Sequence, residues 1–268
     1  MLAKRIFSSV VLIAVVIAAV FQTWVFNLLI FACTVLGLIE FFGMLEHKGI
    51  SLYKYFGIAV GSLIPLSIMW HFELTRKWEL FFVVLVLLFL IIMQLKRREN
   101  TGVVVGISTT IFGILYVAWL FSFIVRIRVL PNGTAFLASV LIITKLGDVG
   151  GFLVGSRFGK LPLVPLISPK KSVEGALGGL LFSIGGAVAC KPFLPFGYLH
   201  LAWVGFFLGI LGQLGDLSES LMKRDCRVKD SADTIPGMGG VLDIIDSLLF
   251  TAPVYYFYIN IVLKYIDM

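Results

Sequence analysis

The sequence predicts an all-α, polytopic membrane helix bundle with about nine transmembrane helices and a cytoplasmic N-terminus, on three observations. Of 268 residues, 59% are hydrophobic and only 14% are charged, with a mean hydropathy of +1.03, far from the mix of a water-soluble domain. Apolar runs recur at the roughly 20-residue length that carries a helix across about 30 Å of hydrocarbon, and Val103 to Val125 is 23 residues without a charge. The basic residues, finally, gather between alternate runs, as they do on the cytoplasmic side of a membrane protein.

In chain order the runs cover about 6–22, 24–42, 56–70, 79–95, 102–125, 134–154, 175–190, 199–215 and 241–263. The first follows Lys4 and Arg5 like a signal peptide, but no small-residue cleavage site precedes the second run, so a retained helix is expected. The third and seventh are short. The fourth stops at Lys96, Arg97 and Arg98, and the fifth stops at Arg126. The sixth holds Lys145 and Asp148, and the eighth is expected to continue as a helix toward Arg224. The ninth opens on Asp243 and Asp246. Trp24, Trp70, Trp78 and Trp203 stand near run ends, as an interfacial belt requires.

With the N-terminus inside, fifteen of the 22 Lys and Arg residues fall on the cytoplasmic side, against six outside and Lys145 within a span. Topology therefore accounts for the net charge of +7. No basic face or fold signature for nucleic acid is present. Cys33, Cys190 and Cys226 have no metal-type spacing and are odd in number, so no redox or zinc role is assigned. His47, His71 and His200 are scattered, with no base or ligand pattern. The absence of a repeat or low-complexity linker predicts one membrane domain over 1–268, with 1–130 mainly scaffold and 131–268 carrying the chemistry.

That division follows the polar residues: nine of the 15 Asp and Glu lie between 148 and 246. Asp216, Glu219, Ser220 and Lys223 recur at helical steps and share one face. A loop with Lys229, Asp230 and Asp233 leads through Pro236-Gly237-Met238-Gly239-Gly240 to Asp243 and Asp246, three residues apart. Carboxylates at a helix centre in a membrane cost about 2.5–3.5 kcal/mol each, so they need a partner or a function. An oxygen-only set without His suits Mg²⁺. The same spacing suits an interfacial salt-bridge network with Lys223, Arg224 and Lys229, and spacing alone leaves both open.

A second constellation runs from Lys145 to Glu174: Asp148, the glycines at 150, 151 and 155, Ser156-Arg157-Phe158-Gly159-Lys160, and Ile167-Ser168-Pro169-Lys170-Lys171-Ser172-Val173-Glu174-Gly175. Cations and hydroxyls beside glycine at a helix start suit a phosphate. Taken singly, Ser172 reads as an N-cap and Lys170 and Lys171 as ordinary loop charges. Lys145 and Asp148, three apart, either neutralise each other or meet substrate. Glycines 175, 178, 179, 185 and 186 read as close helix packing.

The ordered set from Ser220-Leu221-Met222-Lys223-Arg224 through Lys229-Asp230 to Ile235-Pro236-Gly237-Met238-Gly239-Gly240-Val241-Leu242-Asp243 and Asp246-Ser247 closely resembles the C-terminal signature of the phosphatidate cytidylyltransferase, or CDP-diacylglycerol synthase, family. The segments at 148–160 and 167–175 are also similar to that family's pattern, so the resemblance spans roughly 145–250. Two positions depart from it, since the family usually has His at Met238 and Arg at Ile244. The resemblance implies transfer of a cytidylyl group from CTP to phosphatidate at a metal-dependent cytoplasmic site. It implies that Asp216, Asp243 and Asp246 hold Mg²⁺, as one ion or a pair, with Ser220 and Lys223 in the same catalytic cluster. Ser168, Lys170, Lys171, Arg224 and Lys229 are then expected on the phosphates of CTP or lipid. The partners are CTP, phosphatidate in the bilayer and membrane lipids, with no nucleic acid and with a homo-oligomer compatible. The expected location is a bacterial cytoplasmic membrane.

Two rivals are weighed. A lipid kinase or phosphotransferase would share the acids and Mg²⁺, but the Asp-Gly and Ala-Arg pairs of enzymes that use CDP-alcohols are absent. A transporter would use Lys145, Asp148 and Asp216 as an ion path, and the missing repeat argues against it.

Overall fold

A computed structural model describes residues 2–70, 76–96 and 101–266, without the side chains of 2–6, 76–80 and 264–266. Expectations resting on the side chains of Lys4, Arg5, His71, Arg76, Lys77, Trp78, Arg97, Arg98 and Lys264 lie outside the described residues. The helices are α1 (Leu2–Phe21), α2 (Thr23–His47), α3 (Lys54–Met69), α4 (Arg76–Leu95), α5 (Val103–Gly113), α6 (Leu120–Val129), α7 (Gly133–Phe158), α8 (Val173–Ala189), α9 (Tyr198–Asp225) and α10 (Leu242–Ile266). A π-helical stretch, Ile114–Trp119, joins α5 to α6 in one continuous rod. Among the described residues six helical rods are long and apolar enough to cross a membrane: α2, α5 through α6, α7, α8, α9 and α10. The described parts of α1, α3 and α4 add shorter apolar helices. The protein is an all-α membrane protein, with one small hairpin among the described residues, of β1 (Pro162–Val164) and β2 (Ser168–Ser172).

The chain forms two compact units. The first comprises Met1–Val125 and Cys226–Leu242, and the second Arg126–Asp225 and Asp243–Met268. In the first unit α2 supplies the centre. Phe41 and Phe42 are buried, and Phe42 lies where a Cβ on Gly57 or Gly113 would be 2.6 or 2.4 Å from its ring. The π-helical stretch carries Tyr116, which stacks on Phe112 at 5.5 Å and meets Phe41 at 5.9 Å. π-Helical turns of this kind are rare inserts in α-helices, and this one sets Tyr116 against both aromatic rings.

The second unit is built on glycine. Gly178 backs onto Val154, and a Cβ on Gly205 would come within 2.6 Å of Ile184 Cα, so α7, α8 and α9 approach almost backbone to backbone. This is the small-residue packing that replaces the hydrophobic drive inside a bilayer. Gly178, like Gly175, Gly179 and Gly186, is in a packed face as expected, whereas Gly185 has open space. At Gly215 of α9 a Cβ would stand 2.5 Å from the Asp246 carbonyl of α10. Gly215→Ala is therefore expected to cost about 1–3 kcal/mol by overpacking, readable as earlier unfolding in detergent.

The hairpin is the element the sequence did not reveal. Residues 162–172 read as loop, but Pro162 faces Ser172 and Val164 faces Ser168 in an antiparallel pair. Glu174 holds its base, accepting from the Lys160 and Leu161 amides at 3.0 and 3.3 Å. The predicted end of the fifth span also moves: the helix runs on to Val129, with Arg126 and Arg128 in its last turn. Arg128 donates to the Thr134 hydroxyl across the turn into α7.

Candidate active site

The second unit brings most of the predicted site residues into one region, from four elements. α7 supplies Lys145 and Asp148, β2 supplies Ser168, Lys170 and Lys171, α9 supplies Asp216, Ser220, Lys223 and Arg224, and α10 supplies Asp243 and Asp246. α9 reaches this far because its polar face continues the apolar one without a break. Lys229 is exposed in the first unit, and the geometry of the second unit does not include it.

Two ion-pair networks result. In one, the ammonium of Lys145 donates to Asp148 Oδ2 at 2.9 Å, to the Ile244 carbonyl at 2.9 Å and to Ser247 Oγ at 3.2 Å. An ammonium has three donors, so all are used, and Lys145 serves to tie α7 to the first turn of α10. Ser247 Oγ donates in turn to Asp148 at 3.3 Å. Asp246 is buried, accepts from the Ser247 amide at 2.5 Å, and feels the charges of Asp216, Lys145 and Asp148. In the other network Lys223 bridges two helices, donating to Glu219 Oε2 at 2.9 Å and to Asp243. Ser220 is buried beside it on α9.

The hairpin joins the first network through Lys171, whose ammonium lies 2.5 Å from Asp216 Oδ2. Apart from that ion pair the buried ammonium has no hydrogen-bond partner. Arg224 Nε donates to the Ile167 carbonyl in the hairpin turn at 3.1 Å, a second tie between hairpin and α9. Ser172 caps α8, accepting from the Gly175 amide at 3.1 Å, so the N-cap role expected of it is filled. Between α7, α8, α9 and the hairpin lies a cavity of about 550 Å³, lined by Asp148, Ser168, Lys170, Lys171, Gln213 and Asp216 among glycines and apolar side chains.

Acids and bases are thus interleaved rather than set apart in two facing groups. Among the described residues no three Asp, Glu, His or Cys side chains gather as a ready metal-ligand group; Asp216 is paired with Lys171 and Asp243 with Lys223. The donor chemistry nevertheless fits Mg²⁺: every candidate ligand is a carboxylate oxygen, and Glu219, wholly buried, keeps its Oε1 without a partner. Glu219, which the sequence placed on the Asp216 face without a role, and Gln213, which it did not single out, are further functional candidates. Glu219 was legible as the i, i+4 partner of Lys223. Gln213, which donates to the Ala176 carbonyl at 3.0 Å, had no signal beyond standing three residues before Asp216.

The two departures from the family pattern fall in different places. Met238 lies in the turn closed by the Ile235 and Gly239 backbones, and its sulfur accepts from Ser9 Oγ at 3.7 Å. Ile244 contributes its carbonyl to Lys145, a bond any side chain at that position would leave intact.

Comparison with known proteins bears on the whole chain. A family model described as the cytidylyltransferase family matches residues 3–262. A protein of Bacillus subtilis named phosphatidate cytidylyltransferase is 34% identical over 245 residues, covering 87% of each chain. One of the same name from Synechocystis is 32% identical over an alignment of 294 positions, covering 98% of each. The chloroplastic phosphatidate cytidylyltransferase 4 of Arabidopsis thaliana is 34% identical over 202 residues, 66% of this chain and 51% of its own. With the motifs of 145–250 inside a match that extends from the first helix to the last, the chain belongs to the cytidylyltransferase family.

Proposed function

We propose that the chain transfers the cytidylyl group of CTP to phosphatidate, giving CDP-diacylglycerol and pyrophosphate for phospholipid synthesis. A phosphate oxygen of the lipid attacks the α-phosphorus of CTP; that P–O bond forms as the bond to the β-phosphate breaks, and pyrophosphate leaves. The attacking phosphate is ionised at neutral pH, so the task is to bring two polyanions together in line rather than to remove a proton. The observation that carries the reading is the buried Lys171 ammonium on the cavity wall, held by Asp216 alone.

Asp216, Asp243 and Asp246 are the proposed Mg²⁺ ligands, and the unpartnered Oε1 of Glu219 on α9 is a further carboxylate oxygen that could join them. When bound, Mg²⁺ neutralises phosphate charge and orients the reacting oxygens. Lys223 holds Asp243 in position and Ser220 lines the same turn. Lys171 exchanges Asp216 for a phosphate, with Ser168, Lys170 and Arg224 beside it. Nine spans with the N-terminus in the cytoplasm put this chemistry on the cytoplasmic side of a bacterial inner membrane. The acyl tails then stay in the bilayer while the headgroup enters the cavity.

Purified protein given labelled CTP, phosphatidate and Mg²⁺ in detergent is expected to form labelled CDP-lipid and pyrophosphate, and no product across varied lipids and metals sinks the reading. In the same assay Lys171→Gln, losing one charge-assisted contact, should raise KM for CTP about tenfold with a smaller change in kcat. An unchanged KM would take Lys171 off the phosphates.

A further inference from the structure

We propose that Glu40 is a positioning residue of the active site: from α2, its carboxylate caps the N-terminus of α10 and so sets the turn that carries Asp243 and Asp246. The inference rests on the proposed role of those two aspartates. A helix start leaves backbone N–H groups without partners, and Ser, Thr, Asp or Asn just before the helix normally accepts from them. α10 begins at Leu242 after Gly239-Gly240-Val241, so it has no such residue of its own.

Glu40 fills the role from about 200 residues away. Its Oε1 accepts from the Val241 amide at 2.9 Å and from Thr234 Oγ1 at 2.6 Å. Its Oε2 accepts from the Leu242 amide at 2.8 Å and from Ser231 Oγ at 3.1 Å. The side chain is buried, and four donors offset what an isolated carboxylate in a membrane helix would cost. The helix dipole adds to this, since negative charge is favoured at an N-terminus.

Gly240 opens the way. A Cβ there would stand 2.4 Å from Glu40 Oε2 and 2.0 Å from Ser231 Oγ, so any other residue would force the carboxylate or the hydroxyl to shift. The loop is pre-bent by left-handed Gly237 and Gly239 and closed by the Ile235 amide on the Gly239 carbonyl at 2.8 Å. One carboxylate thus fixes both the fold of loop 231–241 and the first residue of α10. Asp243 follows directly, and Asp246 comes one turn later.

The test is Glu40→Gln, which keeps the shape but turns an NH₂ toward N–H donors. Amide exchange across 231–245 is expected to quicken roughly tenfold. The Mg²⁺ concentration for half-maximal turnover should rise severalfold and kcat should fall, while KM for CTP stays near native. Unchanged exchange overturns the cap. Faster exchange with native Mg²⁺ dependence and kcat leaves a purely structural bond and overturns the positioning role. Should Glu40→Gln not fold, Thr234→Val removes a single donor and is expected to shift both readouts the same way by less; no shift in either overturns the proposal. Native protein that forms no CDP-lipid would instead defeat the proposed reaction, while the exchange measurement still judges the cap.

Discussion

Asp246→Asn is expected to lower kcat roughly 10³-fold in a protein that unfolds no earlier than the native chain. The two halves of that result come from one environment. Asp246 is 6% exposed, and the charges around it include the like-charged Asp216 and Asp148 as well as Lys145. Asparagine has the same shape, and its carbonyl can still accept from the Ser247 amide. The substitution removes repulsion between carboxylates together with the charge proposed to hold Mg²⁺, so stability holds or rises while turnover falls. Activity per folded molecule, set beside a thermal unfolding midpoint in detergent, measures both. Turnover within threefold of native would return Asp246 to the salt-bridge network that its spacing also allowed.

Lys223→Met is expected to cost about 3–5 kcal/mol of stability, the usual result of removing one partner from a buried ion pair. Lys223 and Asp243 have side chains 11% exposed and Glu219 has none of its side chain exposed. Methionine fills similar space but leaves two acids facing each other without a cation. Adding Glu219→Gln removes one of those charges, so the double variant should recover a substantial part of the loss. A double-mutant cycle followed by unfolding in detergent reads the coupling. Additive losses would mean that the Lys223–Glu219 bond carries little of the energy.

The sequence was most informative where a single physical requirement dominated. Membrane spans show as apolar length, and α9 was legible through its turn from apolar to polar because Asp216, Glu219, Ser220 and Lys223 keep helical spacing across the change. The acids and bases were legible as a set, but not their pairing. Lys171 meets Asp216 only because a hairpin folds residues 162–172 back on themselves, and that hairpin has neither alternation nor a turn signal strong enough to read against its prolines. Glu40 was hidden for a related reason. An acid inside an otherwise apolar run is visible, but its partners lie near residue 240, and no local rule joins them.

The ion pairs also bear on how the chain enters the membrane. Lys145 with Asp148 and Glu219 with Lys223 sit one turn apart within α7 and α9, so each of those helices brings its own counter-charge when it leaves the insertion machinery. α10 has no such provision: Asp243 and Asp246 arrive together, and the next cation in its sequence is Lys264. Lys223, which pairs with Asp243, and Lys145, whose charge Asp246 feels, are made earlier, on helices already in the bilayer. The order of synthesis therefore matches the order of neutralisation. The last helix is the one whose settling depends on its predecessors, and a chain that stops short of it leaves Glu219 and Lys223 bound only to each other, without Asp243.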